Sequence, residues 1–150
     1  MVYLISMKNG SHLRLILWKA AKAVEKVDRA SIKRTQLCLG DFAIMEVLLH
    51  KGPLPINTIG EKVLLTSGSM TAAVNRLQKR GLVRRVQDAV DGRLFHVHLT
   101  GRGHKAIEQA FSRHVQNLEK IVSVLTPDER VELARLLKKI GLHADQMSIT

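Results

Sequence analysis

From His12 to about Lys33 the apolar residues Leu13, Ile16, Leu17, Ala20, Ala21, Val24 and Val27 recur at three- and four-residue spacing, with Lys and Arg between them. That period predicts an amphipathic helix. A second helix is expected from about Asp41 to His50, with Gly40 as its N-cap and Gly52-Pro53 as its stop. A third, short one follows Pro55 and buries Ile56, Ile59 and Val63, while Gly60 lets a neighbouring helix approach. After the brief turn Leu64-Leu65-Thr66, a fourth runs from about Ser67 to Arg80. Thr66 is its expected N-cap, Met70, Ala73, Val74 and Leu77 its apolar stripe, and Gly81 its end.

The pattern then changes period. LVRRVQ and RLFHVHL are short β-type runs joined by residues 88–92, where Asp91-Gly92 signals a hairpin turn. After Thr100 a long helix carries Ile107, Ala110, Phe111, His114, Val115, Leu118, Ile121, Val122 and Leu125 on one stripe. Thr126-Pro127-Asp128-Glu129 has the form of a capping box with Pro at the first helical position. The last helix shows Val131, Ala134, Leu137 and Ile140 and is expected to end at Gly141. The fold class is mainly α with a small β-hairpin. Helices three and four form a helix-turn-helix, and the hairpin behind them is a wing.

The terminal helices are too apolar to stay solvated alone. Leu13, Ile16, Leu17, Leu118, Ile121, Leu137 and Ile140 are the expected interface of a homodimer. Residues 1–150 read as a single domain. About 36–100 form the DNA-binding lobe, and about 11–34 and 101–146 the dimerisation helices.

Charge adds a partner. With 24 Lys+Arg against 13 Asp+Glu the chain carries +11, and a polyanion is the natural counterpart. Residues 1–40 and 61–105 hold +6 each, while residues 106–150 are neutral. The fourth helix turns Thr66, Ser67, Ser69, Thr71, Asn75, Arg76 and Lys79 outward and contributes no carboxylate. Short hydroxyl side chains let such a helix sit deep in a major groove. Asn75 suits adenine, and Arg76 suits guanine or a phosphate.

Enzymatic chemistry has no foothold: G-x-S-x-G, a phosphate-cradling Gly loop and H-E-x-x-H are all missing from the sequence. Aromatics are 3%, too few for RNA stacking platforms. A non-specific basic nucleic-acid-binding protein remains the alternative. The apolar start MVYLIS is too short for a secretory signal, and Met7 competes with Met1 as the first residue. With one cysteine and no membrane-length apolar run, the expected location is the cytoplasm.

The stretch LLTSGSMTAAVNRLQKRGLVRRV, followed by DGRLFHVHLTGRG, resembles the MarR family of bacterial winged helix-turn-helix regulators. The matching positions are Leu65-Thr66, Val74-Asn75-Arg76-Leu77, Gly81-Leu82-Val83, Asp91-Gly92-Arg93 and Leu99-Thr100-Gly101-Arg102-Gly103, and the likeness covers about residues 11–142. Asn75 departs from the acid common there, and Gly40 from the usual Ser or Thr cap. The resemblance implies a homodimer on a pseudo-palindromic operator, usually acting as a repressor. It further implies that Arg93 enters the minor groove at the wing tip, with Asp91 positioning its guanidinium, and that a small phenolic, quinone-type or other aromatic ligand releases the DNA. No cofactor is expected.

Three residues or groups carry two readings. Cys38 is read as buried and inert, with redox sensing as the alternative, because family members that sense oxidants typically carry a Cys near the start of the first helix and Leu13 to Lys19 contains none. His96 and His98, with His104 nearby, have spacing compatible with zinc but are read as a solvated strand without metal. Trp18 is read as packing at the dimer interface rather than lining a ligand cavity.

Overall fold

The computed structural model describes residues 9–63 and 66–147. Its elements in chain order are α1 (Gly10–Ile32), a 3-10 turn (Lys33–Thr35), α2 (Leu39–Lys51), β1 (Leu54–Pro55), α3 (Ile56–Val63), α4 (Ser67–Lys79), β2 (Val83–Gln87), β3 (Phe95–Leu99), α5 (Gly101–Val122) and α6 (Pro127–Gln146). The fold is mainly helical with a small wing, as the periodicity predicts. Leu64 and Leu65 of the expected turn lie outside the described residues.

Local chemistry explains most boundaries. Thr66, Thr100 and Thr126 each cap a helix by accepting a backbone N–H three residues on. At Thr126 the Glu129 carboxylate also accepts the Thr126 N–H at 2.9 Å, completing the capping box. Two expected boundaries are corrected. Gly40 lies inside α2, whose N-cap is Cys38: the extended backbone there lets Sγ accept the Asp41 N–H at 3.5 Å. Gly141 does not end α6, which runs on to Gln146, because nothing there reverses the backbone.

The sheet contains a strand that hydropathy alone did not reveal. β1 is two residues long and pairs with β3 (Leu54 with Val97), giving the antiparallel order β1-β3-β2. A Pro-flanked dipeptide has no readable period, so only pairing identifies it. The turn signalled at Asp91-Gly92 is present, with the Leu94 N–H donating to the Asp91 carbonyl at 2.9 Å, but the second strand begins at Phe95 and not at Arg93. The strands are joined by residues 88–94, closed by the Asp88 N–H donating to the Leu94 carbonyl at 2.9 Å, and Gly92 has no positive φ.

The core is confined to one part of the chain. Ile44, Met45, Ile59, Val74, Leu77, Val97 and Ile107 are fully enclosed where α2, α3, α4, β3 and the start of α5 meet. By contrast α6 buries no residue and α1 buries only Ile32. Leu13, Ile16, Leu17, Leu137 and Ile140 are exposed, from 42% to 52%, while Leu118 and Ile121 are half-buried. Trp18 is also exposed, its ring flanked by Arg14 and Lys22. No described helix is long and apolar enough to cross a membrane.

The α1–α5 junction is polar inside. His114, 5% exposed, shares a hydrogen bond with Ser31 Oγ at 3.1 Å and meets Phe42 edge-on. Asn117 donates to the same Oγ at 2.9 Å. This network ties the long helices to the compact lobe.

Candidate nucleic-acid interface

Helix α4 presents Gly68, Ser69, Thr71, Ala72, Asn75, Arg76, Gln78 and Lys79 to solvent and buries Met70, Ala73, Val74 and Leu77. Thr66 Oγ1 accepts the Ser69 N–H at 3.3 Å and donates to Ser69 Oγ at 3.0 Å, so the N-terminal end of α4 carries a hydroxyl pair. Ser67 opens α4, but its side chain lies outside the described positions. Backbone N–H groups and the positive end of the helix dipole face the same way, which suits a phosphate or a base edge.

Arg76 is held by its own chain. Its guanidinium donates to both Asp41 oxygens, at 2.6 and 3.3 Å, and approaches Cys38 Sγ at 3.8 Å. Asp41 is 4% exposed, so Arg76 neutralises a buried carboxylate and straps α4 to α2. The Asp41 hydrogen bonds hold the guanidinium pKa above its usual range. With Nε and Nη2 engaged on Asp41, that fork is not available to guanine, and only Nη1 is left without a bond. Asp41 is the residue that sequence reading missed: it sits 35 positions away, and its only visible signal was a carboxylate in the first turn of a helix.

Asn75 is tied as well. Arg85, on β2, donates to Asn75 Oδ1 at 2.8 Å and to Gln78 Oε1 at 3.2 Å, locking the wing strand to α4. Lys79 is exposed beside them.

At the hairpin tip Arg93 is exposed and its side chain makes no hydrogen bond or ion pair with the described residues. Asp91 does not aim the Arg93 guanidinium. Its Oδ1 accepts the Arg93 backbone N–H at 3.0 Å, shaping the turn instead. Asp88 builds the rest: its Oδ1 accepts the N–H groups of Val90 and Asp91, at 2.8 and 2.9 Å. Those backbone bonds, Asp91 first, hold the Asp88 carboxyl below the usual range.

His96 lies 3.6 Å from Asp88, and His98 pairs across the ladder with Arg84. Among the described residues no three His, Cys, Asp or Glu side chains gather as a metal site would require. Burial, then Arg84 and His96, push the His98 pKa below its ordinary 6.5. The folded state therefore binds fewer protons than the unfolded one just below pH 6.5, and stability falls on acidification through that window. His98→Gln should flatten the difference in melting temperature between pH 7.5 and pH 5.5. An unchanged difference would place the acid sensitivity elsewhere.

Cys38, expected to be buried, is exposed. Its place at the mouth of a helix, rather than on an inward stripe, is the reason.

The MarR family model matches residues 37–94, the segment from the start of α2 to the wing tip. The chain is 30% identical over 141 residues to the uncharacterised HTH-type transcriptional regulator YkoM of Bacillus subtilis (strain 168), covering 94% of this chain and 92% of that one. It is 31% identical over 134 residues to the regulator MhqR of the same organism, covering 89% and 92%. Among solved structures it superposes on a mutant MarR from E. coli complexed with operator DNA, with a TM-score of 0.77 at 21% identity, covering 85% of this chain and 92% of that one. It superposes equally on NadR in complex with 4-hydroxyphenylacetate, with a TM-score of 0.77 at 24% identity, covering 89% and 94%. Helix-turn-helix, hairpin wing, flanking long helices and near-full-length likeness agree: the chain belongs to the MarR family of transcriptional regulators and is not an enzyme.

Proposed function

We propose that this regulator is a cytoplasmic homodimeric repressor that binds a pseudo-palindromic operator and is released by a small aromatic, phenolic or quinone-type ligand. The observation that carries the DNA reading is the carboxylate-free exposed face of α4 beside an exposed, unengaged Arg93 at the wing tip. The N-terminal end of α4, with Thr66, Ser67, Ser69 and Thr71, enters the major groove, and Asn75 and Lys79 border it. Arg93 enters the adjacent minor groove, where narrow A·T-rich stretches concentrate negative potential. Arg76 serves as the strut that fixes the angle of α4 and does not read a base. Asp91 and Asp88 hold the turn that carries Arg93.

Residues of about 36–100 act as the DNA-binding lobe, and about 11–34 and 101–146 as the dimerisation helices. The exposed apolar residues of α1 and α6 support a second copy as their cover, since such stripes left in water are costly. Two α4 helices must then lie roughly 34–36 Å apart to enter successive major grooves. A ligand that favours another spacing releases the DNA by shifting the population. The likeness to NadR, whose solved structure holds 4-hydroxyphenylacetate, supports the aromatic class. A second reading rests on Cys38, which is exposed and touches Arg76. Oxidation there would disturb the strut, and a Cys38→Ser protein that no longer responds to oxidants would favour it.

Arg93→Ala is the test. Sedimentation should show a dimer before and after the change, because truncating an exposed tip residue alters stability by about 0.5 kcal/mol or less. Fluorescence anisotropy on operator duplex should show binding weakened by roughly 1–3 kcal/mol per wing, with a shallower salt dependence. Unchanged affinity and salt slope would mean that the wing does not touch DNA. A monomeric parent chain at micromolar concentration would remove the paired-helix geometry.

A further inference from the structure

We propose that a cleft at the junction of α1, α4 and α5 binds a small organic anion carrying two or more phosphate or carboxylate groups. The cleft encloses about 290 Å³ and gathers Arg34 from the 3-10 turn, Arg80 from the end of α4, and Arg102 and Arg113 from α5. None of the residues lining it is acidic. Its wall includes Leu37 and the buried Leu82, so the cleft offers apolar surface beside the arginines.

The way the chain uses its other arginines makes this grouping unusual. Arg29, Arg76, Arg130 and Arg135 are paired with carboxylates, Arg85 with Asn75 and Gln78, and Arg14 lies over Trp18. Among the described residues the side chains of five arginines make no hydrogen bond, ion pair or ring contact: Arg34, Arg84, Arg93, Arg102 and Arg113. Arg84 and Arg93 belong to the hairpin, while the other three share this cleft. Three unpaired guanidiniums and a fourth nearby repel one another, and an anion of charge two or three relieves that repulsion. Planar donor forks match carboxylate and phosphate oxygens bidentately.

The cleft rim is built, and not left loose. Arg80 donates to the Gln36 carbonyl at 2.9 Å, and Gln36 holds a left-handed backbone (φ 58) that a glutamine seldom adopts. Its N–H donates back to Lys33, and Thr35 Oγ1 accepts the Leu37 N–H. Backbone strain of this kind persists where the surroundings over-determine it, and it gathers at ligand clamps and switches. Ser31, also on the rim, is the residue that accepts from Asn117 and meets His114.

DNA is not the polyanion this cleft serves. Arg80 follows the last residue of the 13-residue α4, so the cleft lies about 20 Å from the helix end assigned to the major groove. That exclusion rests on the DNA reading above; the binding test does not, because it contains no DNA.

Pyrophosphate and citrate serve as probes of the phosphate and carboxylate arms, with acetate and added NaCl at matched ionic strength as controls. Calorimetric titration of the full chain should show saturable binding of at least one probe and none of acetate. The double variant Arg102→Gln/Arg113→Gln should melt at the parent temperature, since both side chains are exposed and bonded to nothing, yet bind at least about tenfold more weakly. Arg84→Gln should bind like the parent. Equal binding by the double variant, or a response that follows ionic strength whatever the anion, overturns the site. So does failure of both probes to bind while the double variant loses DNA affinity and salt slope, which would make these arginines phosphate contacts on the duplex.

Discussion

Gly103→Ala should destabilise the protein by about 3 kcal/mol or more, lowering its melting temperature by roughly 6–12 °C. A Cβ at Gly103 would overlap the Leu82 carbonyl oxygen, with the Leu82 carbonyl carbon at 2.9 Å. These are backbone atoms, so no rotamer change relieves the overlap. The same carbonyl already accepts the Thr100 N–H at 3.0 Å. Thr100 Oγ1 meanwhile donates to the Gly81 carbonyl at 2.7 Å and accepts the Gly103 N–H at 3.0 Å. The first turn of α5 is thus clasped to the turn that ends α4, where Gly81 has a φ of 68. To admit one methyl group α5 must move off that turn and break the clasp. Thermal melts of Gly103→Ala against Gly101→Ala provide the comparison, because nothing lies within 4 Å of a Cβ at Gly101. Equal melting temperatures for the two would refute the close approach.

Arg76→Ala should lower the melting temperature by roughly 5–10 °C and abolish operator binding together. Removing the guanidinium leaves the Asp41 carboxylate, 4% exposed, without its cation. It also cuts the strap between α2 and α4. Asp41→Ala should lose operator binding too, although its carboxylate is turned inward and away from any duplex. Arg76→Lys keeps the charge but not the two-pronged geometry, and should fall between the parent and Arg76→Ala. Melting curves paired with anisotropy on operator and scrambled duplex distinguish a strut from a base reader. A stable Arg76→Ala protein with altered base preference and full overall affinity would return Arg76 to base reading.

These two residues show where sequence and tertiary structure divide the work. Helix positions, the Thr66, Thr100 and Thr126 caps and the change from helical to strand period at residue 82 are encoded locally, in side chains a few positions apart. The helix-turn-helix with its wing, the charge face and the unburied stripes of α1 and α6 follow from that local code, because periodicity is a statement about neighbours. Sequence reading marked Gly103 without a cause and took Arg76 for a guanine or phosphate contact. The cause at Arg76 is Asp41, brought from α2 across 35 residues. At Gly103 it is a backbone carbonyl on the preceding turn. The exposure of Cys38, the strand at Leu54–Pro55, the occupation of Asn75 by Arg85 and the meeting of Arg34, Arg80, Arg102 and Arg113 in one cleft are likewise contacts between segments distant in sequence or set by the fold. Hydropathy and spacing say which face of an element is buried. Which group from another element arrives there is decided only when the chain has packed.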